Sequence, residues 1–265
     1  MSAPLLVEKR GRVDWVTLNR PDRLNALDPE LIAALQDYFH ARLTDDETRI
    51  IVLRGAGRGF CAGLDLKREI VAGSTTSNAG VAAALKGQRA ISEIVMRMRR
   101  CPQPIISLVH GAACGGGFAL ALASDIRIAG DSARMNCAFI RIGLGGCDIG
   151  SSYFLPRLVG VSIASELILT GKFIDAARAE RVGLVSRVVP DADLEAAAEA
   201  EVQFMLETSP LGLRLSKECL NMSVDAGSIE AAIAMEDRNQ VLVTQTRDFA
   251  EGVRAHLEKR KPDWA

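Results

Sequence analysis

Three consecutive glycines, Gly115 to Gly117, lie between an apolar, β-branched run (105–109) and an apolar stretch that has no polar face (118–123). This order predicts a buried strand, a tight turn and an interior helix. The first N–H groups of a helix have no intrahelical partner and lie at the positive end of its dipole. Because glycine lets a ligand oxygen approach the main chain closely, the turn could bind a negatively charged oxygen. Tight helix packing is the alternative explanation of these glycines.

A second junction of the same kind occurs earlier in the chain. Residues 50–53 predict a buried strand, and Asp65 begins a predicted short helix, so Gly63 and Leu64 precede another helix N-terminus. The glycines of this junction do not form a dinucleotide-binding fingerprint, because they do not enter a helix directly. The two junctions together could direct two backbone N–H groups at one oxygen.

The surrounding pattern alternates between strands and helices. A hairpin is predicted around Gly11, and Asp28 followed by Pro29 predicts a helix start. The other predicted elements are a mobile loop over 71–80, a helix over 81–98, a strand over 126–129, a glycine-rich loop over 138–150 and a last strand over 184–189. Beyond Pro190 the pattern is wholly helical. Strands alternating with helices and then helices alone favour an α/β core at 1–190 and an α-helical region at 191–265.

The composition excludes several classes of protein. With 265 residues, 48% hydrophobic and 25% charged, the chain can bury a substantial core. A net charge of −1 predicts neither a nucleic-acid partner nor a membrane-surface partner. No apolar run reaches the roughly 20 residues of a spanning helix, and we see no secretory signal, so we expect a cytoplasmic protein. The spacing of the six cysteines predicts neither a zinc site nor a disulfide framework.

Several motifs resemble those of the crotonase superfamily, also called the enoyl-CoA hydratase/isomerase family, over essentially the whole chain. In chain order they are LNRPDRLNAL (18–27), FCAGLDLK (60–67), HGAACGGG (110–117), SDI (124–126) and LEKRKP (257–262). Each motif is weak alone, whereas the ordered set is highly specific. The resemblance implies an α/β fold, a crotonase-like spiral of ββα units with an α-helical C-terminal trimerisation region. It also implies a homotrimer or hexamer.

The resemblance further implies a substrate bound as a coenzyme A thioester, and an oxyanion hole for the thioester carbonyl. Carried over by motif, the two donors are the backbone N–H groups of Leu64 and Gly116, which agrees with the two predicted helix starts. Loss of one such donor typically costs about 10²–10³ in rate. No metal and no cofactor besides the coenzyme A of the substrate is implied. The residues expected to contact the thioester or coenzyme A are Arg23, Ala26, Ala62, Leu64, Asp65, Leu66, Lys67, Gly116 and Lys259, with Lys261 as a further candidate for a phosphate.

Two positions depart from the hydratases of this family. Their two glutamates correspond to Ala119 and Phe139 here. Activating a water and protonating the α-carbon requires positioned acid and base groups, which alanine and phenylalanine cannot supply. Ordinary enoyl-CoA hydration by a glutamate pair is therefore not expected.

Asp148 is the carboxylate that remains well placed in the sequence. It resembles an aspartate in the same loop of dienoyl-CoA isomerases, dihydroxynaphthoyl-CoA synthases and 4-chlorobenzoyl-CoA dehalogenases. Partial burial would raise its pKa and make it a better base. One carboxylate can shift a double bond by removing a proton and returning it elsewhere. The alternative is that Asp148 caps the helix predicted to begin near Ser151.

Two hypotheses follow from these residues. The first is an acyl-CoA-transforming enzyme that works through an enolate with Asp148 as acid/base. Within it we rank isomerisation first, then atypical hydration, then synthase- or dehalogenase-like chemistry. The second is a non-catalytic acyl-CoA-binding oligomer that kept the pocket and lost the chemistry. We expect loops such as 68–80 to form the acyl pocket.

Overall fold

The computed structural model of the chain describes residues 3–67 and 80–264. Its strands form a six-stranded sheet in the order β1-β2-β3-β4-β6-β9 and a three-stranded sheet in the order β5-β7-β8. The strands are β1 (Leu5–Arg10), β2 (Val13–Leu18), β3 (Ile50–Gly55), β4 (Ile105–Val109), β5 (Ala112–Cys114), β6 (Ile126–Gly130), β7 (Arg134–Asn136), β8 (Ile174–Asp175) and β9 (Arg187–Val189). The β1–β2 pair is the predicted antiparallel hairpin, and the other pairs of the large sheet are parallel.

The helices of the described ranges follow the predicted order, except that the short helix at Ala176–Arg181 was not predicted. They are α1 (Pro29–Arg42), α2 (Gly80–Arg100), α3 (Gly116–Ala123), α4 (Ser151–Thr170), α5 (Ala176–Arg181), α6 (Leu194–Leu206), α7 (Pro210–Ser223), α8 (Ile229–Thr244) and α9 (Arg247–Glu258). The helix start predicted at Asp28 and Pro29 is confirmed. The Asp28 side chain accepts a hydrogen bond of 2.9 Å from the Leu31 amide, and Pro29 lies in the first turn of α1.

Two predicted boundaries are wrong. The last strand is shorter than 184–189, because the Leu184 amide bonds to the Ala179 carbonyl at the end of α5 and only β9 joins the sheet. The predicted loop over 138–150 begins with a 3₁₀ turn at Ala138–Ile142. Within the predicted loop over 71–80, residues 71–79 lie outside the described residues, and Gly80 begins α2.

The large sheet is covered on both faces. Successive strand residues point to opposite faces, so Ile51 and Leu53 lie in the core that includes α1, α2 and α3, whereas Ile50 and Val52 lie with α6. Helix α6 contacts β3, β4 and β6 directly. Part of the predicted C-terminal helical region therefore closes the core, and its role in oligomerisation stays a prediction.

Helix α4 is long and apolar enough to cross a membrane when judged by length and composition alone. Its backbone leaves helical geometry at Gly160 (φ 76°, ψ 161°). Phe154, Leu155 and Leu167 are buried in the main core. These buried residues explain part of the apolar character of the helix, and core helices can pass the same test of length and composition.

Candidate active site

The two predicted junctions are joined through their main chains. The Cys61 amide donates to the Ala112 carbonyl (3.0 Å), and the Cys114 amide donates to the Cys61 carbonyl (2.9 Å). A Cβ atom on Gly117 would overlap the Cys61 carbonyl oxygen. Glycine is required here because α3 begins directly against the segment that leads to Gly63.

The main chains of the two junctions also lie close together at the two amides that were predicted as donors, those of Leu64 and Gly116. A Cβ atom on Gly63, whose φ is +88°, would lie 3.3 Å from the Gly116 nitrogen. A Cβ atom on Gly116 would lie 3.8 Å from the Gly63 Cα. Since the Leu64 nitrogen is bonded to the Gly63 carbonyl carbon, the structure brings the amides of Leu64 and Gly116 into one neighbourhood. We call residues 63–65 and 115–117 the amide side of the site.

Neither of these two amides has an acceptor among residues 3–67 and 80–264. Leu64 forms a bridge with Leu27, but the bridge uses the Gly63 carbonyl and the Asp65 amide (2.7 and 2.9 Å). Gly116 is the first residue of α3, where a helix leaves its N–H groups unpaired. The amide side can therefore donate two hydrogen bonds to a ligand oxygen.

A buried ion-pair cluster fixes the first junction. Arg20 Nη2 lies 3.0 Å from Asp28 Oδ2 and 2.9 Å from Asp65 Oδ2, and its Nη1 donates to the Ala26 carbonyl. The Asp28 side chain is 1% exposed and that of Asp65 is 11% exposed. Asp65, predicted to contact the substrate, thus has a structural partner that holds the Leu64 segment against the start of α1. Arg20 belongs to the motif at 18–27, but no role in the site was predicted for it.

Asn25 is a second positioning residue that the sequence did not single out. Its buried side chain donates from Nδ2 to main-chain oxygens of the strand-to-glycine segment, and its Oδ1 accepts from the Arg20 amide at 2.9 Å. The acceptors are the carbonyls of Ala56 (2.9 Å), Gly59 (2.8 Å) and Phe60 (3.2 Å). Its own backbone has a φ of +55°, a conformation that asparagine tolerates better than most residues.

The remaining predicted coenzyme A contacts fall into two groups. Ala26 is buried, and the Ala62 amide donates to the Leu24 carbonyl (2.9 Å), so these two belong to the framework of the site. The others are exposed at the surface: Leu66, Lys67, Arg23 and Lys259. Arg23 and Lys259 make no ion pair with the described residues, whereas Lys261 pairs with Glu207 at 2.7 Å. No contact among the described residues brings Arg23 and Lys259 together.

We call residues 146–151, which contain Asp148, the carboxylate side. Asp148 Oδ1 accepts hydrogen bonds from Gln88 Nε2 (2.5 Å) and from the Ile149 amide (2.8 Å). The N-cap of α4 is Gly150, and no side chain caps that helix. The expectation that the Asp148 carboxylate could be a helix cap is therefore wrong. Its backbone carbonyl, not its side chain, accepts from the Ser151 amide (2.9 Å).

Burial raises the pKa of the Asp148 carboxyl above its ordinary value. The hydrogen bonds from the Ile149 amide and from Gln88 favour the charged form and oppose part of this rise. No charged side chain is among the causes of the shift. A carboxylate with these properties is a stronger base than an exposed aspartate.

Ile149 joins the two sides. Its Cδ1 would lie 3.5 Å from a Cβ atom on Gly116, and the residue is buried. Its φ is +36°, a conformation that β-branched residues rarely adopt and that commonly marks functional sites. Asp148 therefore directly precedes the residue that contacts the amide side.

The two positions predicted to correspond to the hydratase glutamates are apolar and buried. Ala119 lies inside α3 and Phe139 in the 3₁₀ turn. Phe139 Cε1 would lie 3.4 Å from a Cβ atom on Gly115, so its ring packs against the start of α3. Both residues add apolar surface beside the amide side and no group that can transfer a proton.

Other reactive side chains near the site have different partners. His110 Nε2 lies 2.9 Å from the Gly57 carbonyl oxygen, and the Tyr153 hydroxyl donates to Asp225 Oδ2 at 2.5 Å. Burial raises the pKa of the Cys114 thiol to about 11, so this thiol is protonated at neutral pH. His110 and Tyr153 are thus hydrogen-bonded to protein groups, and the Cys114 thiol is not ionised at neutral pH.

Comparisons with known proteins identify the family of the chain. The profile of the family described as Enoyl-CoA hydratase/isomerase matches residues 8–265. A Mycobacterium tuberculosis protein named probable enoyl-CoA hydratase is 39% identical over 99% of this chain and 92% of its own length. The 1,2-epoxyphenylacetyl-CoA isomerase of Escherichia coli is 35% identical over 94% of this chain and 93% of its own.

A solved structure of similar fold comes from Bacillus anthracis and is described as an enoyl-CoA hydratase. It has a TM-score of 0.91 and 32% identity, and the match covers 98% of both chains. The mixed α/β architecture of the chain is thus that of the crotonase fold, as predicted. The chain belongs to the enoyl-CoA hydratase/isomerase family of the crotonase superfamily and is an acyl-CoA enzyme of the hydratase/isomerase kind.

Proposed function

We propose that this enzyme transforms an acyl-CoA thioester through an enolate. The thioester oxygen is held by the N–H groups of Leu64 and Gly116, and Asp148 removes and returns the proton. The observation that supports this most directly is the close approach of Gly63 to Gly116, with both adjacent amides lacking a protein acceptor in the described ranges.

The geometry suits the charge changes of such a reaction. Removing a proton next to the thioester places negative charge on its carbonyl oxygen, where two fixed N–H donors stabilise it more than they stabilise the neutral carbonyl. Leu27 and Ile149 supply apolar surroundings around Gly116. Low polarity strengthens the donated hydrogen bonds, because fewer water molecules compete for the oxygen.

The apolar Ala119 and Phe139 favour isomerisation over ordinary hydration. Hydration needs one group that activates water and one that protonates carbon, whereas moving a double bond needs a single group that carries one proton between two carbons. We therefore rank isomerisation first, atypical hydration second and synthase- or dehalogenase-like chemistry third. The same proposal includes Arg23, Lys67 and Lys259 as contacts for coenzyme A, no further cofactor, a homotrimer or hexamer, and a cytoplasmic location.

The test is the Asp148→Asn substitution, assayed on a panel of enoyl-, dienoyl- and aryl-CoA thioesters. We expect turnover to fall about 10²–10⁴-fold, because a general base is lost. Binding of the same thioesters, measured by calorimetry, should stay within about threefold, because the two amide donors remain. Asp131→Asn is the matched control, since Asp131 is exposed and its side chain has no described contact.

Two results would contradict the proposal. Unchanged turnover in Asp148→Asn would remove this residue from the mechanism. Saturable binding of the whole panel by the unmodified protein, without turnover of any member, would instead indicate a non-catalytic acyl-CoA-binding oligomer.

A further inference from the structure

The two oxygens of the Asp148 carboxylate have different surroundings. Oδ1 accepts two hydrogen bonds, from Gln88 Nε2 at 2.5 Å and from the Ile149 amide at 2.8 Å. Oδ2 receives none from residues 3–67 and 80–264. One oxygen is thus anchored by the protein, and the other is left for a substrate.

We infer that Gln88 is a positioning residue for the proposed reaction: together with the Ile149 amide it anchors Oδ1, so that Oδ2 takes and returns the substrate proton. This inference rests on the proposed function of Asp148. The Ile149 amide is the next group along the chain, whereas Gln88 lies 60 positions away and belongs to α2. Through Gln88, the orientation of the Asp148 carboxylate therefore depends on the position of α2.

The contacts of Asp148 explain why a distant donor is needed. Its backbone is held by the Ser151 Oγ, which accepts from the Asp148 amide (3.1 Å), and by the Ser151 amide. These bonds fix the main chain but leave the side-chain torsions free. Without Gln88, the Ile149 amide would be the one described donor that restrains the carboxylate.

The position of Gln88 is itself supported by packing. The following turns of α2 bury Ile94, Val95 and Met98 in the main core. Gln36 of α1 donates to the Ala90 carbonyl, two residues after Gln88. The helix that carries Gln88 is thus tied to the core within one turn of the contact.

A neutral donor suits the task better than a cation would. A lysine or arginine at this distance would favour the charged carboxylate strongly and lower its basicity. The glutamine amide orients the carboxylate, and the pKa of Asp148 stays above its ordinary value because burial outweighs the two hydrogen bonds. Gln88 therefore orients the Asp148 carboxylate, and the carboxylate remains a stronger base than an ordinary aspartate.

The experiment follows exchange of the α-hydrogens of phenylacetyl-CoA with D₂O by proton NMR, as a function of pH. The aryl group acidifies these hydrogens, so exchange reports proton removal without requiring the physiological acyl group. In Gln88→Leu we expect the acidic limb of the rate profile to move up by about one pH unit, because a donor to the carboxylate is lost. The plateau should fall about tenfold, while thioester affinity stays within about twofold.

Two further variants separate positioning from a merely structural role. Gln88→Glu keeps the shape of the side chain but adds a like charge, so it should shift the acidic limb further than Gln88→Leu does. Ser92→Ala is the matched control, because the Ser92 hydroxyl donates to the Gln88 carbonyl and not to Asp148. It should retain the exchange profile of the unmodified enzyme. In an Asp148→Asn background, Gln88→Leu should change the residual exchange rate less than twofold, since the carboxylate that it positions is absent.

The outcomes distinguish this inference from the proposed function. Loss of exchange in Asp148→Asn, with unmodified profiles in both Gln88 variants, overturns the role of Gln88 and leaves Asp148 as the base. Exchange at the unmodified rate in Asp148→Asn overturns the proposed base and the inference with it. A fall in rate that is the same for Gln88→Leu in both backgrounds, without a pH shift, also overturns the inference, because it indicates a structural effect.

Discussion

The amide side and the carboxylate side of the site meet at Ile149 but are built differently. On the amide side the proposed functional groups are main-chain N–H groups, held by strand bridges, by Asn25 and by the buried Arg20 cluster. On the carboxylate side the proposed functional group is one half-buried side chain, held by the neighbouring amide and by Gln88 of a distant helix.

This difference separates two tasks. Stabilising a thioester oxygen requires only backbone donors at fixed positions, which any chemistry on the family's thioesters can use. Moving a particular proton requires a titratable group. Here that proposed group is Asp148, and its position depends on one loop. We therefore expect substitutions on the amide side to damage the fold and the chemistry together, and substitutions on the carboxylate side to damage the chemistry without loss of stability.

The largest effect is expected for Gly117→Ala on the amide side. The added Cβ would overlap the Cys61 carbonyl oxygen and lie 2.7 Å from Cys61 Cβ, so α3 and the first junction must separate. We expect a loss of about 3 kcal/mol or more in the free energy of unfolding. We also expect a rate loss of at least about 10²-fold, because the two donors no longer converge. Thermal unfolding and thioester turnover measure these quantities.

The matched control is Gly145→Ala in the loop that leads to the carboxylate side. A Cβ atom on Gly145 would meet no atom within 4 Å, and the residue needs no left-handed backbone. Its stability and turnover should match those of the unmodified protein. Equal damage by the two alanines would contradict the distinction between the two sides.

A smaller effect is expected for Arg20→Met, which removes the cation between Asp28 and Asp65. Two nearly buried carboxylates would then face each other without the positive charge of Arg20 between them. Breaking such a buried pair typically costs about 3–5 kcal/mol, and the 16% exposure of the Arg20 side chain places our expectation near the lower figure. Chemical denaturation at constant protein concentration measures the loss.

Lys9→Met is the control for Arg20→Met, because Lys9 pairs with Glu47 at 2.9 Å on the surface. An exposed pair of this kind contributes little to stability, so Lys9→Met should cost far less than Arg20→Met. If both methionine variants lost the same stability, the Arg20 cluster would not be a support of the amide side.

The amide side was largely predictable because its requirements are local. A strand, glycines and a helix start follow one another directly in the sequence, and a backbone that needs close approach leaves glycine as its signature. The helix start at Asp28 was predictable for the same reason, since a cap and its helix are neighbours. Arg20 was missed because its partner Asp65 is distant in the sequence, and no spacing rule relates them.

For the carboxylate side the sequence offered only a candidate acid, Asp148, whose role stays a prediction. No sequence pattern pairs Gln88 with Asp148, because both lie on segments whose periodicity reports burial and not side-chain contacts. The choice between a base and a helix cap was open for Asp148, and the structure excludes the cap through Gly150, whose left-handed backbone occupies the cap position. Strands β5, β7 and β8 were also missed, because two or three residues are too few to show alternation.

The smallest effect concerns stability on the carboxylate side, where function and stability should oppose each other. Burial holds the pKa of Asp148 above its ordinary value, so the folded state retains this proton to higher pH than the unfolded chain does. Deprotonation at neutral pH therefore costs stability, and the cost disappears as the pH falls below the unfolded value of about 4. In Asp148→Asn, the amide oxygen of the new side chain would still accept from the Gln88 and Ile149 donors.

Asp148→Asn should consequently be more stable than the unmodified protein at pH 8, by on the order of 0.5 kcal/mol because the group is half-exposed, and equal to it near pH 4. Asp225→Asn supplies a control of opposite sign. The Tyr153 hydrogen bond lowers the pKa of Asp225, so this variant should be less stable at pH 8, with the difference lost as the pH falls through that lowered pKa. Denaturation at both pH values decides the matter. A destabilised Asp148→Asn at pH 8 would mean that the ionised carboxylate supports the fold, and the contrast between a structural amide side and a purely chemical carboxylate side would fail.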